Sequence, residues 1–267
     1  MPALEGKVAI VTGASSGIGE AIVKELVASG MIVAGLARRI ERVEALAAGL
    51  KGEKGKLSPV KCDVTKEEDV KNAFAWVKKN LGAPSVVINN AGVLKQSLLS
   101  SCDMKDIQMM FDTNVVGLVA CAKEALNSMV ENKTEGTIIN INSLAGHYIL
   151  AFPGVSGYNA TKFAVTALTE GLRNEASMLG ANVRITSLSP GAVESEMTDQ
   201  FKSQDQSEGV LDHFEMLPAK DIADCALFIL KSPQRMNISE MTVLSPKETG
   251  LTQAKATATM LEKMAPK

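Results

Sequence analysis

Short, unbroken apolar runs alternate along this chain with longer stretches of helical periodicity. The runs are Val8–Val11, Ile32–Leu36, Leu57–Cys62, Val86–Ile88, Thr137–Ile141, Val183–Leu188 and Met241–Leu244. A run that is apolar at nearly every position, not at every second one, fits a strand buried on both faces, as in a parallel sheet. Between them, helical patterns cover Gly17–Ser29, Glu41–Ala48, Lys66–Asn80, Met104–Glu131, Gly157–Leu179 and Ala219–Lys231. The alternation predicts an α/β fold: a doubly wound, mostly parallel, seven-stranded sheet with helices on both faces. Ligands of such sheets sit at the carboxyl ends of the strands, where the strand order reverses.

Two segments break the rhythm. Ser195–Leu217 is polar and irregular, the pattern of a lid or mobile loop. Beyond Pro246 the pattern weakens, and either a short helix near Thr252–Met264 or a frayed end fits it. Residues 1–248 therefore read as one domain with a lid near 195–217, and 249–267 as a C-terminal tail.

The length, 267 residues, suits one α/β domain with a full core. A formal net charge of −2 and no basic cluster argue against a nucleic-acid partner. No apolar run approaches the roughly 20 residues of a membrane-spanning helix. A strand begins by Lys7 with no apolar leader ahead of it, so the expected location is cytoplasmic. The four cysteines are scattered, and the only histidines are His147 and His213, so no metal site is expected.

The first run leads into Thr12-Gly13-Ala14-Ser15-Ser16-Gly17-Ile18-Gly19 and then a helix. A glycine turn at a strand–helix junction lets backbone approach a pyrophosphate, and the helix N-terminus offers unpaired N–H groups to it. The spacing is G-x-x-x-G-x-G, not the commoner G-x-G-x-x-G. The second run ends at Leu36-Ala37-Arg38-Arg39. An enzyme selective for NAD usually carries an acid there for the ribose 2′-hydroxyl. Here two arginines follow an alanine and no acid stands at that strand end, which suits the 2′-phosphate of NADP(H). After the third run, Asp63 is placed to meet the adenine edge, with Val64 beside it. Thr65 is a candidate N-cap for the next helix.

Tyr158 and Lys162 stand four residues apart, on one face of a predicted helix. A free tyrosine has a pKa near about 10. A neighbouring ammonium and the positive ring of an oxidised nicotinamide would lower it and make the phenol a proton donor and acceptor for an alcohol/carbonyl couple. The preceding strand ends in Asn142-Ser143, which strengthens the match.

Taken in order, Thr12–Gly19, Asn89-Asn90-Ala91-Gly92, Asn114, Ser143, Tyr158, Lys162 and Pro190-Gly191 resemble the single-domain branch of the short-chain dehydrogenases/reductases over about residues 5–245. The resemblance implies a Rossmann-like fold and these roles. Tyr158 is the general acid/base. Lys162 lowers its pKa and binds the nicotinamide ribose. Ser143 polarises the substrate oxygen, and Asn114 holds a relay water. Gly13, Ser15, Ser16, Gly17, Ile18, Gly19, Arg38, Arg39, Asp63, Val64, Asn90, Ala91, Gly92, Tyr158 and Lys162 hold the cofactor. Asn89 lies at the same central strand end. Pro190, Gly191 and Val193 frame the nicotinamide, with Ser195 near its carboxamide. Ser143 and Tyr158 are spaced slightly wider than in many relatives. The extra length, Gly146–Gly157, makes His147, Leu150, Phe152 and Val155 candidate substrate residues, with Tyr148 and Ile149 nearby.

The Gly-Leu-Ala-Arg-Arg, Asn-Ser-Leu-Ala-Gly-His and Ala-Val-Thr-Ala-Leu-Thr-Glu-Gly-Leu-Arg segments are similar to a subgroup. It contains insect-type farnesol dehydrogenases and broad carbonyl and 3- or 17-ketosteroid reductases. That implies NADP(H) and a lipophilic alcohol or carbonyl, such as farnesol or a steroid or ecdysteroid ketone. It also implies a homodimer or homotetramer, built on the long helices Met104–Glu131 and Gly157–Leu179. The rival classes are an NADP-binding sensor with weak catalysis, a nucleotide-sugar epimerase and a carrier-dependent ketoacyl reductase. The first usually loses the tyrosine or lysine, the second needs a larger C-terminal domain, and the third a basic docking patch.

Overall fold

A computed structural model describes residues 4–150, 152–202 and 209–264. Seven strands form one sheet: β1 (Val8–Thr12), β2 (Ile32–Ala37), β3 (Lys56–Lys61), β4 (Val86–Asn89), β5 (Gly136–Ile141), β6 (Val183–Pro190) and β7 (Glu240–Val243). All are parallel, in the order β3-β2-β1-β4-β5-β6-β7. The order reverses between β1 and β4, and the glycine turn leaves the carboxyl end of β1 at that crevice.

β1 shows why its sequence reads as continuously apolar. All five residues are buried, and successive side chains serve opposite faces. Ala9 and Val11 pack with Ile22, Val23 and Leu26 of α1 (Gly17–Ala28), Val43 of α2 (Ile40–Gly49), and Ile222, Ala223 and Ala226 of α8 (Ala219–Lys231). Val8 and Ile10 pack with Val70, Phe74 and Val77 of α3 (Glu67–Asn80) and with Cys121, Ala125 and Leu126 of α5 (Gly117–Glu131). Helix α6 (Ser156–Met178) supplies Ala176 to that second layer.

Three expectations need revision. The pattern over Met104–Glu131 is not one helix: α4 (Met104–Phe111) and α5 are separated by a π-helical turn, Asp112–Val116. Such turns insert a residue and re-aim side chains, often at functional sites; here the turn carries Asn114. Within the polar stretch after Val193, Glu196–Lys202 forms α7, and Leu211–His213 a short 3-10 turn. Residues 203–208 of the expected lid lie outside the described residues. Finally, Gly250–Met264 forms α9, whose Ala256 and Met260 are fully buried against Phe152, Val155, Phe201, Val210 and Leu211.

No helix among the described residues is long and apolar enough to cross a membrane, and no cluster of metal-binding side chains is found among them.

Candidate active site

The glycine turn is braced from β4. Thr12 Oγ1 accepts from the N–H groups of Asn90 and Ala91, both at 3.0 Å, and the Asn90 amide donates to the carbonyls of Thr12 (3.0 Å) and Gly13 (3.3 Å). Gly13 is left-handed at φ +67°, and a Cβ on Gly19 would come within 2.4 Å of Asn90 Nδ2, so neither position admits a side chain. Helix α1 begins at Ser16 without a side-chain cap, so its first N–H groups stay available to an anion. These features fit a dinucleotide pyrophosphate.

Around the end of β2 the structure amends the sequence. Arg38 is exposed. Arg39 Nη2 donates to Ser16 Oγ at 3.0 Å and Ser15 Oγ at 3.4 Å, turning both hydroxyls toward one guanidinium. No acid stands at the strand end itself, yet the fold brings one from α7. Glu196 pairs with Arg39 at 2.8 Å and also with Arg42. The two guanidinium groups pull the Glu196 carboxyl down to about 2. A ligand phosphate at Arg39 therefore meets a resident carboxylate, which local sequence does not reveal.

Asp63 does not cap α3. Its carboxylate accepts from the N–H and hydroxyl of Thr65, an Asx turn, and α3 starts from Lys66 with no side-chain cap, so Thr65 is not the N-cap either. Val64 is buried in the core, and a Cβ on Gly117 would lie 2.9 Å from its carbonyl oxygen.

Tyr158 and Lys162 lie one turn apart on α6, and both are buried. Lys162 Nζ donates to the Ile141 carbonyl at 2.9 Å and lies 5.7 Å from the centre of the Tyr158 ring. Ser143, at the end of β5, hydrogen-bonds Tyr158 and accepts from the Ala145 N–H at 3.1 Å. Burial dominates both ionisations. It pushes the Tyr158 phenol up to about 12, against a smaller lowering by Ser143, and pulls Lys162 down to about 8. Asn114 braces this corner: its Oδ1 accepts from the Val93 N–H at 2.8 Å, and its amide donates to the Val93 carbonyl (2.9 Å) and Thr161 Oγ1 (3.1 Å). A Cβ on Gly92 would stand 3.5 Å from Asn114 Oδ1.

Ser143 and Tyr158 open onto a largely apolar cleft. Ile18, Pro190, Gly191, Val193 and Ser195 line it, together with Leu150, Phe152 and Val155. His147 does not line it. Its Nε2 lies 2.9 Å from Ser189 Oγ and 3.3 Å from Glu240 Oε1, tied to β6 and β7. Tyr148 and Ile149 are 64% and 66% exposed and are likewise outside the lining. Sequence reasoning missed Leu94, Met197, Phe201, Leu211, Phe214 and Glu248. The signal for four of these was apolar side chains at intervals inside the polar stretch 195–217.

A doubly wound parallel sheet with a glycine turn at its switch point and a serine–tyrosine–lysine group at the end of β5 defines a nucleotide-dependent oxidoreductase architecture. The chain belongs to the short-chain dehydrogenase family, whose sequence pattern matches residues 7–206. It is 44% identical over 241 residues to a farnesol dehydrogenase of Aedes aegypti, covering 89% of this chain and 95% of that one. It is 38% identical over 240 residues to human dehydrogenase/reductase SDR family member 11, covering 88% and 92%. Among solved structures, an alcohol dehydrogenase from the archaeon Thermococcus sibiricus, complexed with 5-hydroxy-NADP, superposes with a TM-score of 0.80 at 29% identity, covering 91% and 98%.

Proposed function

We propose that this short-chain dehydrogenase is an NADP(H)-dependent enzyme acting on lipophilic alcohols and carbonyls, with Tyr158 as general acid/base. The observation that carries the reading is that Tyr158 and Ser143 line an apolar cleft that also borders the glycine turn, with the Lys162 ammonium buried 5.7 Å from the Tyr158 ring. The names of the farnesol dehydrogenase and of the NADP-analogue complex support it by similarity.

The nicotinamide, when bound, supplies or accepts the hydride. The remaining work falls to the protein. The free N–H groups of α1 and the bare glycines hold the pyrophosphate, and Arg39, Ser15 and Ser16 hold the 2′-phosphate. Ser143 orients the substrate oxygen by hydrogen bonding. Burial keeps Tyr158 protonated at neutral pH, so it is charged with a proton for carbonyl reduction. The Lys162 ammonium stabilises the phenolate left behind. Asn114 fixes the main chain around Val93 and Thr161, and so the seat of Lys162. Apolar walls at Leu150, Phe152, Val155 and Phe214 exclude water and favour a greasy substrate, at about 25 cal/mol per Å² of apolar area buried.

Exposed Met109, Val119 and Phe163 on α4, α5 and α6 support packing of these helices against a second copy. The test is a panel of terpenoid, steroid, aromatic and sugar carbonyls with NADPH and NADH, and of the alcohols with the oxidised forms. The expected result is turnover of apolar substrates with higher kcat/KM for the phosphorylated cofactor. Turnover confined to sugars, or equal use of both cofactors, contradicts the reading.

A further inference from the structure

Besides main-chain groups, the cleft presents few polar side chains: Asn142, Ser143, Tyr158, Ser195, Thr198 and Glu248. Most are committed within the protein. Ser143 and Tyr158 bond each other. Ser195 and Thr198 bond each other, and Thr198 also donates to the Val193 carbonyl at 2.9 Å. Asn142 donates to Thr166 at 2.8 Å, and its carbonyl oxygen, though without a partner, is fully buried and out of a ligand's reach.

Glu248 differs. It is only 8% exposed yet lines the cleft. Its Oε2 accepts from the Ala192 N–H at 3.0 Å, while Oε1 has no partner among the described residues. Gly191 is shaped around it, since a Cβ there would lie 2.0 Å from Oε2. Burial raises its pKa, and the Ala192 N–H offsets part of that. Oε1 is not sealed off, so a ligand group in the cleft can reach it and complete its bonding.

We infer that the Glu248 carboxyl recognises a second polar group, a hydroxyl remote from the reacting carbon, on the lipophilic substrate. The inference rests on the reading above and narrows it. The preferred substrates are hydroxylated lipophiles such as hydroxysteroid ketones, above monofunctional prenols or simple ketones. Glu248 stands between the two ligands: its Ala192 contact adjoins the stretch that frames the nicotinamide, and its segment leads into the far wall. It is carried by the segment between β7 and α9, and α9 packs on Phe152, Val155, Phe201 and Leu211, the apolar wall of the far side. A site built to hydrogen-bond a hydroxyl discriminates strongly against the analogue lacking it.

The test measures binding, so it stands apart from turnover. Pairs of ketosteroids sharing a skeleton and differing by one remote hydroxyl are titrated into the NADP⁺-loaded enzyme by calorimetry. For at least one pair, the hydroxylated member is expected to bind about 10- to 100-fold tighter. Glu248→Leu should reduce that ratio to near 1, and Glu248→Gln, which keeps an acceptor for Ala192 and an amide for the ligand, should retain most of it. NADPH affinity, read by fluorescence quenching, should change less than about threefold in Glu248→Gln. No preference in any pair with the wild-type enzyme overturns the inference, whatever the variants do. So does a preference that survives in Glu248→Leu, or a loss of NADPH binding in Glu248→Gln, which would assign the carboxyl to the cofactor. Failure of every ketone to turn over, with the binding preference intact, counts against the proposed reaction and leaves the role of Glu248 standing.

Discussion

Glu196 and Glu248 are two carboxyl groups whose surroundings drive them in opposite directions. Glu196, 38% exposed, is held down to about 2 by Arg42 and Arg39. Glu248 is raised by burial, and the Ala192 N–H offsets only part of it. The exposed end, around Arg39, manages charge by pairing at the surface, where each pair contributes about 1 kcal/mol or less. The buried end manages it by withholding water, which also lifts Tyr158 and lowers Lys162. The lesson is one of hierarchy. Changes at the buried end should alter chemistry by orders of magnitude, and changes at the exposed end should tune cofactor choice by small factors.

The largest expected effect comes from Tyr158→Phe, which removes the proton donor. The kcat for ketone reduction should fall by about 10³-fold, with NADPH affinity nearly unchanged. A variant retaining a tenth of the activity would erase the asserted difference between the two ends. Lys162→Met should cost about 100-fold and change the pH profile. Lys162 keeps its proton below about 8 and loses it above. Wild-type reduction should therefore decline as pH rises through that value, and the variant should lack this limb. Met260→Ala, at the fully buried face of α9, should lower unfolding free energy by about 2–5 kcal/mol in urea titrations and raise substrate KM. At the exposed end, Arg39→Ala should reduce the NADPH/NADH ratio of kcat/KM by about tenfold. Glu196→Gln should do the reverse, tightening NADPH by about two- to fivefold, because a competing anion leaves Arg39. A tightening shared equally with NADH would show that Glu196 anchors α7 and does not compete with a phosphate.

The sequence is most informative where chemistry is local. Runs such as Val8–Val11 announce a doubly buried sheet because each residue answers to one of two helix layers. The glycines announce a turn because Asn90 and Gly13 leave no room for a Cβ. Tyr158, Lys162 and Ser143 were readable because helix spacing and a strand end fix their relation. Long-range contacts were not readable. Glu196 reaches Arg39 from 157 residues away, and Glu248 reaches Ala192 from 56 away. His147 was placed in the pocket by its loop, but Ser189 and Glu240 on adjacent strands offer its ring a hydrogen-bonding site behind the wall. The break at Asp112–Val116 is hidden because a π turn barely disturbs the apolar stripe on either side.

The central claim is that Tyr158 holds its proton by burial and releases it only when positive charge arrives beside it. The chain has two tyrosines, so a Tyr148→Phe variant leaves Tyr158 as the sole phenol. Its ultraviolet ionisation can then be followed with and without NADP⁺. The account predicts no phenolate up to at least about pH 10 in the free enzyme, and ionisation several units lower in the complex. A phenol that titrates near its ordinary value in both states would contradict it.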